Sequence, residues 1–427
     1  MAHPIRKRTM LAAALAGTLA LSLAGTAMAQ DVNLRMTLWS ANEAHLKLFN
    51  EIAEGFKKQN PNVNVRFEPL PFETYTTALT TQIAGGNAPD MAWIFETAAY
   101  DFVNSGALVP LTPVLDATPG YNLGEVPASA TERWTRDGQL YAYPFSTSPF
   151  AVFVNNDLIK KAGAKTPAEL IAAGQWTWPN AIATAQAVAQ SQPGKAGLVV
   201  RDFNYQAWQF LSSVTYGWGA TPWSADGKRC TLADKPMVDA LAFVHDAVFD
   251  KKAMPGPGQS VDFFAGDAAM TITQISRASL LPKDKEKAFS WDLVPLPKGP
   301  VGDYALVGQA GVGVLKASKN APVAARFVAY MTNPENSARL AQFFPSARKS
   351  LLNAQTLAKT NALLTPAQLD TVVVSGISTG KLMPGHTDFA RLQQMVRSGL
   401  DAVWQPQANI PAAMQAVCGQ IAPLLAK

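Results

Sequence analysis

The chain has 427 residues, 48% of them hydrophobic, with 36 Lys+Arg against 31 Asp+Glu. That length exceeds one ordinary compact core and points to two lobes, while the apolar content excludes a disordered chain. No Lys/Arg-dense run suggests a nucleic-acid footprint, and after the first thirty residues no apolar run reaches membrane-spanning length.

Residues 1–29 read as a secretory signal peptide. A basic start, Arg6-Lys7-Arg8, leads into an apolar stretch from Met10 to Leu23 and a small-residue exit, Ala27-Met28-Ala29. Cleavage after Ala29 leaves 33 Lys+Arg against 31 Asp+Glu, a formal charge of +2, so partners are expected to be uncharged or weakly charged. No cysteine follows the cleavage point for lipid attachment, and the expected product is a freely soluble protein of the periplasm.

Asn33 to Trp39 alternates as a strand. Glu43 to Gln59 then reads as an amphipathic helix with Leu46, Phe49, Ile52, Ala53 and Phe56 on one face, closed by Asn60-Pro61. A second strand, Val63 to Phe67, follows at once. A helix from Tyr75 to Ala84 stops at Gly85-Gly86, and Pro89-Asp90 leads into the apolar run Met91 to Phe95, the signature of a buried parallel strand. Ligands of such α/β sheets bind beyond the carboxyl ends of strands, which places Trp39 to Glu43 and Trp93 to Thr97 at one rim. The two cysteines, Cys230 before an expected helix and Cys418 in the last one, are open to two readings. They form a disulfide, which an exported compartment permits, or they are separate buried thiols.

The segments TQIAGGNAPDMAWIF, DGQLYAYPFSTSPFAVFVNNDLIKKAG, FFAGDAAMTI, VPLPKGP and GVGVLKASKNAPVAARFVAYMTNPE, with GKLMPG nearer the end, occur in one order along the chain. Together they resemble family 1 extracellular solute-binding proteins of ABC importers, the group that includes maltose-binding protein. The resemblance implies an α/β, two-lobed periplasmic-binding-protein fold of type II-like design, each lobe a mixed sheet flanked by helices and joined by a multi-segment hinge. Chain crossings are expected near Tyr143-Pro144-Phe145-Ser146, near Thr273-Gln274 and near Thr332-Asn333-Pro334. The first lobe would then use 31–145 and 275–332, and the second 146–274 and 333–427. The family's role implies a small-molecule solute and transient contact with membrane permease subunits. It implies a monomer without cofactor, metal or catalytic residues.

Sugar sites need flat rings for C–H faces and side chains that both donate and accept for hydroxyls. The chain has ten tryptophans, and Trp39, Trp93, Tyr143, Trp208, Tyr216 and Trp218 fall at or near expected strand ends or loops. Glu43, Glu96, Ser146, Thr147, Ser148, Tyr205, Gln274, Gln309 and Arg348 lie in the same motifs. Carried over from the family pattern, Trp39 to Glu43 resembles a first ligand contact and Phe95-Glu96-Thr97 a second. Ser146-Thr147-Ser148 resembles hinge contacts, Gly308-Gln309 a backbone-and-amide contact, and Arg348 a basic contact able to fork onto two hydroxyls or an anion. One departure matters: many sugar-binding relatives place a tryptophan a few residues after the Ala-Ala-Met motif, where this chain has Gln274-Ile275-Ser276-Arg277. A smaller or more polar solute becomes admissible, and Arg277 with Arg348 would suit a phosphorylated one. Glu43 and Glu96 would oppose that by repulsion. The same two carboxylates are a candidate pair for glycoside hydrolysis, but their place in binding loops of one lobe favours hydroxyl acceptance instead.

Overall fold

The computed structural model describes residues 31–282 and 288–426, so the expected signal peptide lies outside the described residues. Among the described residues no helix is long and apolar enough to cross a membrane. The opening elements form where the residue pattern places them. Strand β1 (Val32–Leu38) pairs in parallel with β2 (Val63–Pro69), and β3 (Met91–Phe95) pairs in parallel with the other edge of β1. The helix Glu43–Gln59 starts at Asn42, whose side chain accepts from the Ala44 and His45 amides. Glu43 in its first turn and Lys57 and Lys58 in its last complement the helix dipole. It buries His45, Leu48, Phe49, Ile52, Ala53 and Phe56 on the sheet; Leu46, expected on that face, is only half-buried.

After a small hairpin, β4 (Thr135–Arg136) and β5 (Gln139–Leu140), comes the strand that organises the molecule. Strand β6 (Ala142–Asn155) has 14 residues, all buried. Its first part, to Pro149, pairs antiparallel with β10 (Leu306–Val314), with a register shift at Ala310/Gly311. Its second part, from Phe150, pairs antiparallel with β8 (Ala268–Gln274) and β9 (Trp291–Val294), and β7 (Ala196–Val200) lies parallel to β8. The sheet order is thus β2-β1-β3-β10-β6-β8-β7, with β11 (Lys381–Leu382) added beside β10. Alternation along β6 divides the second part of the core. Phe150, Val152 and Val154 join one apolar cluster, and Ala151 and Phe153 join another on the opposite face. Tyr143 and Phe145 belong to a third cluster, which covers β1 to β3.

Each expected crossing is displaced in the structure. Strand β6 changes partners at Pro149 and Phe150, a few residues beyond the expected hinge at 143–146, because Pro144 is taken into the pairing with β10 opposite Gly311 at the register shift. After Gln274 the chain does not return to the first half. Ile275, Ala278, Leu281 and Leu293 pack with Phe153, and β9 pairs with Val152 to Asn155, so the return comes between Val294 and Leu306. Past Pro334, Leu340, Phe343, Phe344 and Ala347 still fill the core over β1 to β3, and the passage comes after Arg348. Cys230 and Cys418 form a disulfide with Cα atoms 5.5 Å apart, fastening the segment before helix Lys235–Phe249 to helix Ile410–Leu425.

Candidate solute-binding cleft

A cleft of about 870 Å³ opens between the two halves of the sheet. One wall comes from the turns that follow β2 and β3, and includes Phe72, Thr76, Thr77, Phe95, Thr97 and Asp101. The opposite wall is the segment that leaves β7, from Arg201 through Tyr205 to Phe210, with Met254, Pro255 and Gln259 to Asp262 beside it. A third side is made by Met383, Phe389, Gln393 and Arg397. The walls therefore stand at the carboxyl ends of parallel strands, where the backbone leaves the sheet and side chains converge.

The aromatic part of the lining is braced from behind. Phe95 stacks on Trp39 with ring centroids 4.0 Å apart and planes 15° from parallel, and Phe72 meets Phe95 edge-on at 5.2 Å. Across the cleft Tyr205 packs on Phe203 at 4.8 Å, with Trp404 against both, and its hydroxyl donates to the Pro255 carbonyl at 2.5 Å. Asn204 and Tyr205 both have left-handed backbone, at φ 37° and 56°.

The charged groups leave an acidic balance. Glu73, Asp101, Asp202 and Asp262 line the cleft against Arg201 and Arg397. Arg201 is engaged by Asp262 at 2.9 Å and lies 5.0 Å over the Phe264 ring. Burial, with Asp388 adding its negative charge, pushes the Asp101 carboxyl up to about 6. Arg277 reaches Asp202 at 3.4 Å while lying 5.5 Å over the Phe72 ring, so it links the two walls at the cleft's margin.

Of the side chains expected to touch solute, Phe95, Thr97 and Tyr205 line the cleft. Trp39 stands behind Phe95, and Trp208 lies under the other wall with its indole N–H given to the Gln393 carbonyl at 3.2 Å. Glu43 is exposed at the start of its helix and stands outside the cleft lining. The remainder are interior, apart from Gln274 and Trp218, which are half-buried. Trp93 and Tyr143 are completely buried, so neither ring offers a face to a sugar. Ser146, Thr147 and Ser148 are buried in β6 against β10, where the Thr147 amide donates to the Pro345 carbonyl at 2.7 Å. Gln309 accepts from the Trp134 indole at 3.0 Å and donates to the Ala130 carbonyl at 3.1 Å and the Thr147 hydroxyl at 3.3 Å. Glu96 accepts from the Gln309 amide at 2.7 Å, and burial pushes its carboxyl up to about 7 against the opposing pull of Arg133. Gln274 is spent on close packing: a Cβ on Gly308 would lie 1.9 Å from its amide nitrogen.

Arg348 departs furthest from expectation. Its side chain is 0% exposed and donates to the carbonyls of Tyr121 at 2.9 Å, Asn122 at 3.1 Å and Thr332 at 3.3 Å. The guanidinium lies 4.7 Å over the Tyr121 ring and 5.8 Å from that of Tyr143. It is an internal clamp, not a basic contact for solute. With Arg277 occupied by Asp202, the arginine pair that would have suited a phosphate is not assembled. Nor are Glu43 and Glu96 set across a bond, since one is exposed on a helix and the other sealed under β10.

Several lining residues were not anticipated: Phe72, Asn204, Gln206, Gln259, Phe389, Gln393 and Arg397. The signal for Asn204 and Gln206 was present. Ala196 to Val200 is a short apolar run, and the rule that sites lie beyond strand carboxyl ends points to the residues after it.

This arrangement, two sheet halves with a polar and aromatic cleft between them, defines a class of solute binder, and the comparisons with known proteins agree. Residues 40–338 match the family model of bacterial extracellular solute-binding proteins, and the chain belongs to that family. It is 26% identical over 348 residues to the sn-glycerol-3-phosphate-binding periplasmic protein of Salmonella typhimurium, covering 75% of each chain. It is 22% identical over 414 residues to the arabinooligosaccharide-binding protein of Bacillus subtilis, covering 90% of this chain and 91% of that protein. Its fold matches that of an ABC substrate-binding protein of Listeria monocytogenes in complex with cycloalternan, at a TM-score of 0.80 and 23% identity over 93% of this chain and 99% of the other.

Proposed function

We propose that the chain is the solute-capturing subunit of an ABC importer and that its solute is a neutral sugar held between the two lobes. The observation that carries this reading is the cleft lining: braced aromatic faces on both walls, hydroxyl and amide side chains between them, and four carboxylates against two guanidinium groups. Rings take the C–H faces of a sugar, amides and hydroxyls take its edge, and the carboxylates accept from its hydroxyls. The same acidic balance repels a phosphate, which separates this chain from the Salmonella relative and its phosphorylated solute.

The lobes in this reading are 31–149 with 306–348, and 150–282 with 288–305 and 349–426. Capture works by differential affinity: solute held on one wall gains the contacts of the other only when the lobes close, so closure is favoured by the additional contacts. Strands β6 and β10 are the pivot. Their pairing and the Gln309 network bury the polar groups of the pivot, with Ser148 Oγ and one Glu96 carboxyl oxygen left without a hydrogen-bond partner among the described residues, and the cleft is built beside them from strand-end loops. Export with removal of residues 1–29, a monomeric state and transient contact with permease subunits belong to the same proposal, and the family's extracellular role supports export.

The test is thermal unfolding and calorimetry of the chain from Gln30, unfolded and refolded to strip carried-over solute. The panel is maltotriose, arabinotriose, mannitol and sn-glycerol 3-phosphate. A solute present at a hundred times its dissociation constant adds about 2.7 kcal/mol, read as a raised midpoint. A raised midpoint with a neutral sugar and none with sn-glycerol 3-phosphate is expected. A response to the phosphate alone overturns the sugar assignment and leaves the family membership standing.

A further inference from the structure

Asn204 and Tyr205 are consecutive residues with left-handed backbone in the cleft wall, a conformation that costs a non-glycine residue free energy and persists only when its surroundings enforce it. The surroundings here are specific. The chain leaves β7 at Val200, and the amides of Gln206 and Ala207 both donate to the Phe203 carbonyl, at 2.9 Å each, closing a tight turn over Asn204 and Tyr205. Tyr205 is fastened by its hydroxyl to the Pro255 carbonyl and by its ring to Phe203 and Trp404. Asn204 is treated differently. It lines the cleft and is exposed, and no hydrogen bond occupies its side chain among those described. Tyr205 is bound on the protein side, so its neighbour is the residue held out into the cleft.

We infer that Asn204 is a specificity-determining residue of the cleft, its carboxamide both donating to and accepting from a sugar hydroxyl, and that Tyr205 is the residue that positions it. This rests on the proposed sugar-binding reading and adds to it the group that reads hydroxyl orientation. An amide suits that task because it offers donors and an acceptor at fixed separation, whereas the neighbouring Asp202 and Asp262 accept only. Holding the turn in its left-handed form before solute arrives removes an ordering cost from binding.

The experiment measures titration calorimetry of maltotriose, arabinotriose and mannitol, each alone, on the refolded wild-type chain, Asn204→Gly, Asn204→Asp and Tyr205→Phe, with urea unfolding of each without solute. Asn204→Gly retains the left-handed backbone and deletes only the amide. It is expected to leave the urea midpoint near wild type and to weaken the sugar that wild type binds roughly tenfold, the loss of about one to two hydrogen bonds. Asn204→Asp, which keeps an acceptor and loses both donors, is expected to weaken that sugar as well. Tyr205→Phe retains the ring but frees the turn from Pro255, and is expected to weaken binding less than Asn204→Gly. If wild type binds a sugar and Asn204→Gly binds it equally well, the assignment of Asn204 is wrong and the sugar reading stands. If wild type binds none of the three, the sugar reading fails and this assignment falls with it.

Discussion

Replacing Arg348 separates an internal clamp from a ligand contact, and the structure sets the size of the effect. Three carbonyls accept from the guanidinium, but they do not lose equally. The Thr332 carbonyl also accepts from the Ser337 hydroxyl at 2.9 Å, and the Asn122 carbonyl from the Glu125 amide at 3.2 Å. Among the described hydrogen bonds the Tyr121 carbonyl has only Arg348. Arg348→Met therefore orphans one buried carbonyl, at about 1–3 kcal/mol, while its unbranched side chain still fills most of the space between Tyr121 and Tyr143. Arg348→Ala loses the packed stem too, at about 0.8 kcal/mol per methylene, for a total of about 3–5 kcal/mol. The Glu125 contact, at 3.6 Å with Glu125 26% exposed, adds little to either. Urea unfolding followed by tryptophan fluorescence reads both as lowered midpoints at unchanged slope, with Ala the lower. Affinity for sugar at low denaturant is expected to stay within about twofold of wild type. Arg348→Met with an unchanged midpoint and an affinity loss beyond tenfold would refute the internal role and return Arg348 to the cleft.

Removing the Cys230–Cys418 bridge by double alanine substitution opens a link across 188 residues and is expected to lower stability by about 2–5 kcal/mol, read by urea midpoint, with sugar affinity unaffected. Gly311→Ala would set a Cβ 2.5 Å from the Trp134 ring, and overpacking of this kind costs about 1–3 kcal/mol; an unchanged thermal midpoint would show that the ring yields freely. For Glu96 the folded carboxyl titrates at about 7 and the unfolded one at its ordinary value of 4.5. The folded chain then holds a proton that the unfolded chain releases, so this stabilisation is complete below 4.5 and is lost as pH rises through 7. Glu96→Gln, which stays neutral, is expected to flatten that part of the profile and to be the more stable protein at pH 8 by an amount on the order of 1–3 kcal/mol. His45 acts in the opposite sense, because burial holds its imidazole down at about 3 and stability is lost as pH falls below 6.5. It is common to both proteins and cancels in their difference.

The opening of the fold was legible because local pattern and tertiary demand coincide there. The alternation that marks β1, the apolar run of β3 and the apolar face of helix Glu43–Gln59 each describe an element whose buried face is decided within a few residues. The crossings were not legible. The pairing of β9 with the far half of β6, and the return of Leu340 to Ala347 to the core over β1 to β3, depend on residues more than a hundred positions apart and leave no local periodicity. The cleft was half legible. Its chemistry, aromatic faces with amides and carboxylates, was anticipated, but most of the named side chains were not the ones that line it.

The reason lies in what polar residues do in a hinge. A strand that passes between two lobes is buried on both faces, and any polar side chain it carries must find partners inside the protein or be left unsatisfied. Thr147 does so with Gln309, Gln309 with Trp134 and Ala130, and Glu96 with the Gln309 backbone. In a motif such residues resemble ligand contacts, being polar, near a strand end and beside a tryptophan. Burial suits a pivot, which must keep its own geometry while the walls on either side move, although Ser148 Oγ and one Glu96 oxygen have no hydrogen-bond partner among the described residues. In the proposed reading solute recognition then falls to residues the hinge does not use: Phe72, Asn204, Gln206 and Gln393, which line the cleft on loops and helix faces where a polar group can stay solvated until a hydroxyl replaces water. The hinge and the cleft therefore draw on the same residue types for opposite purposes, and burial in the folded chain separates them.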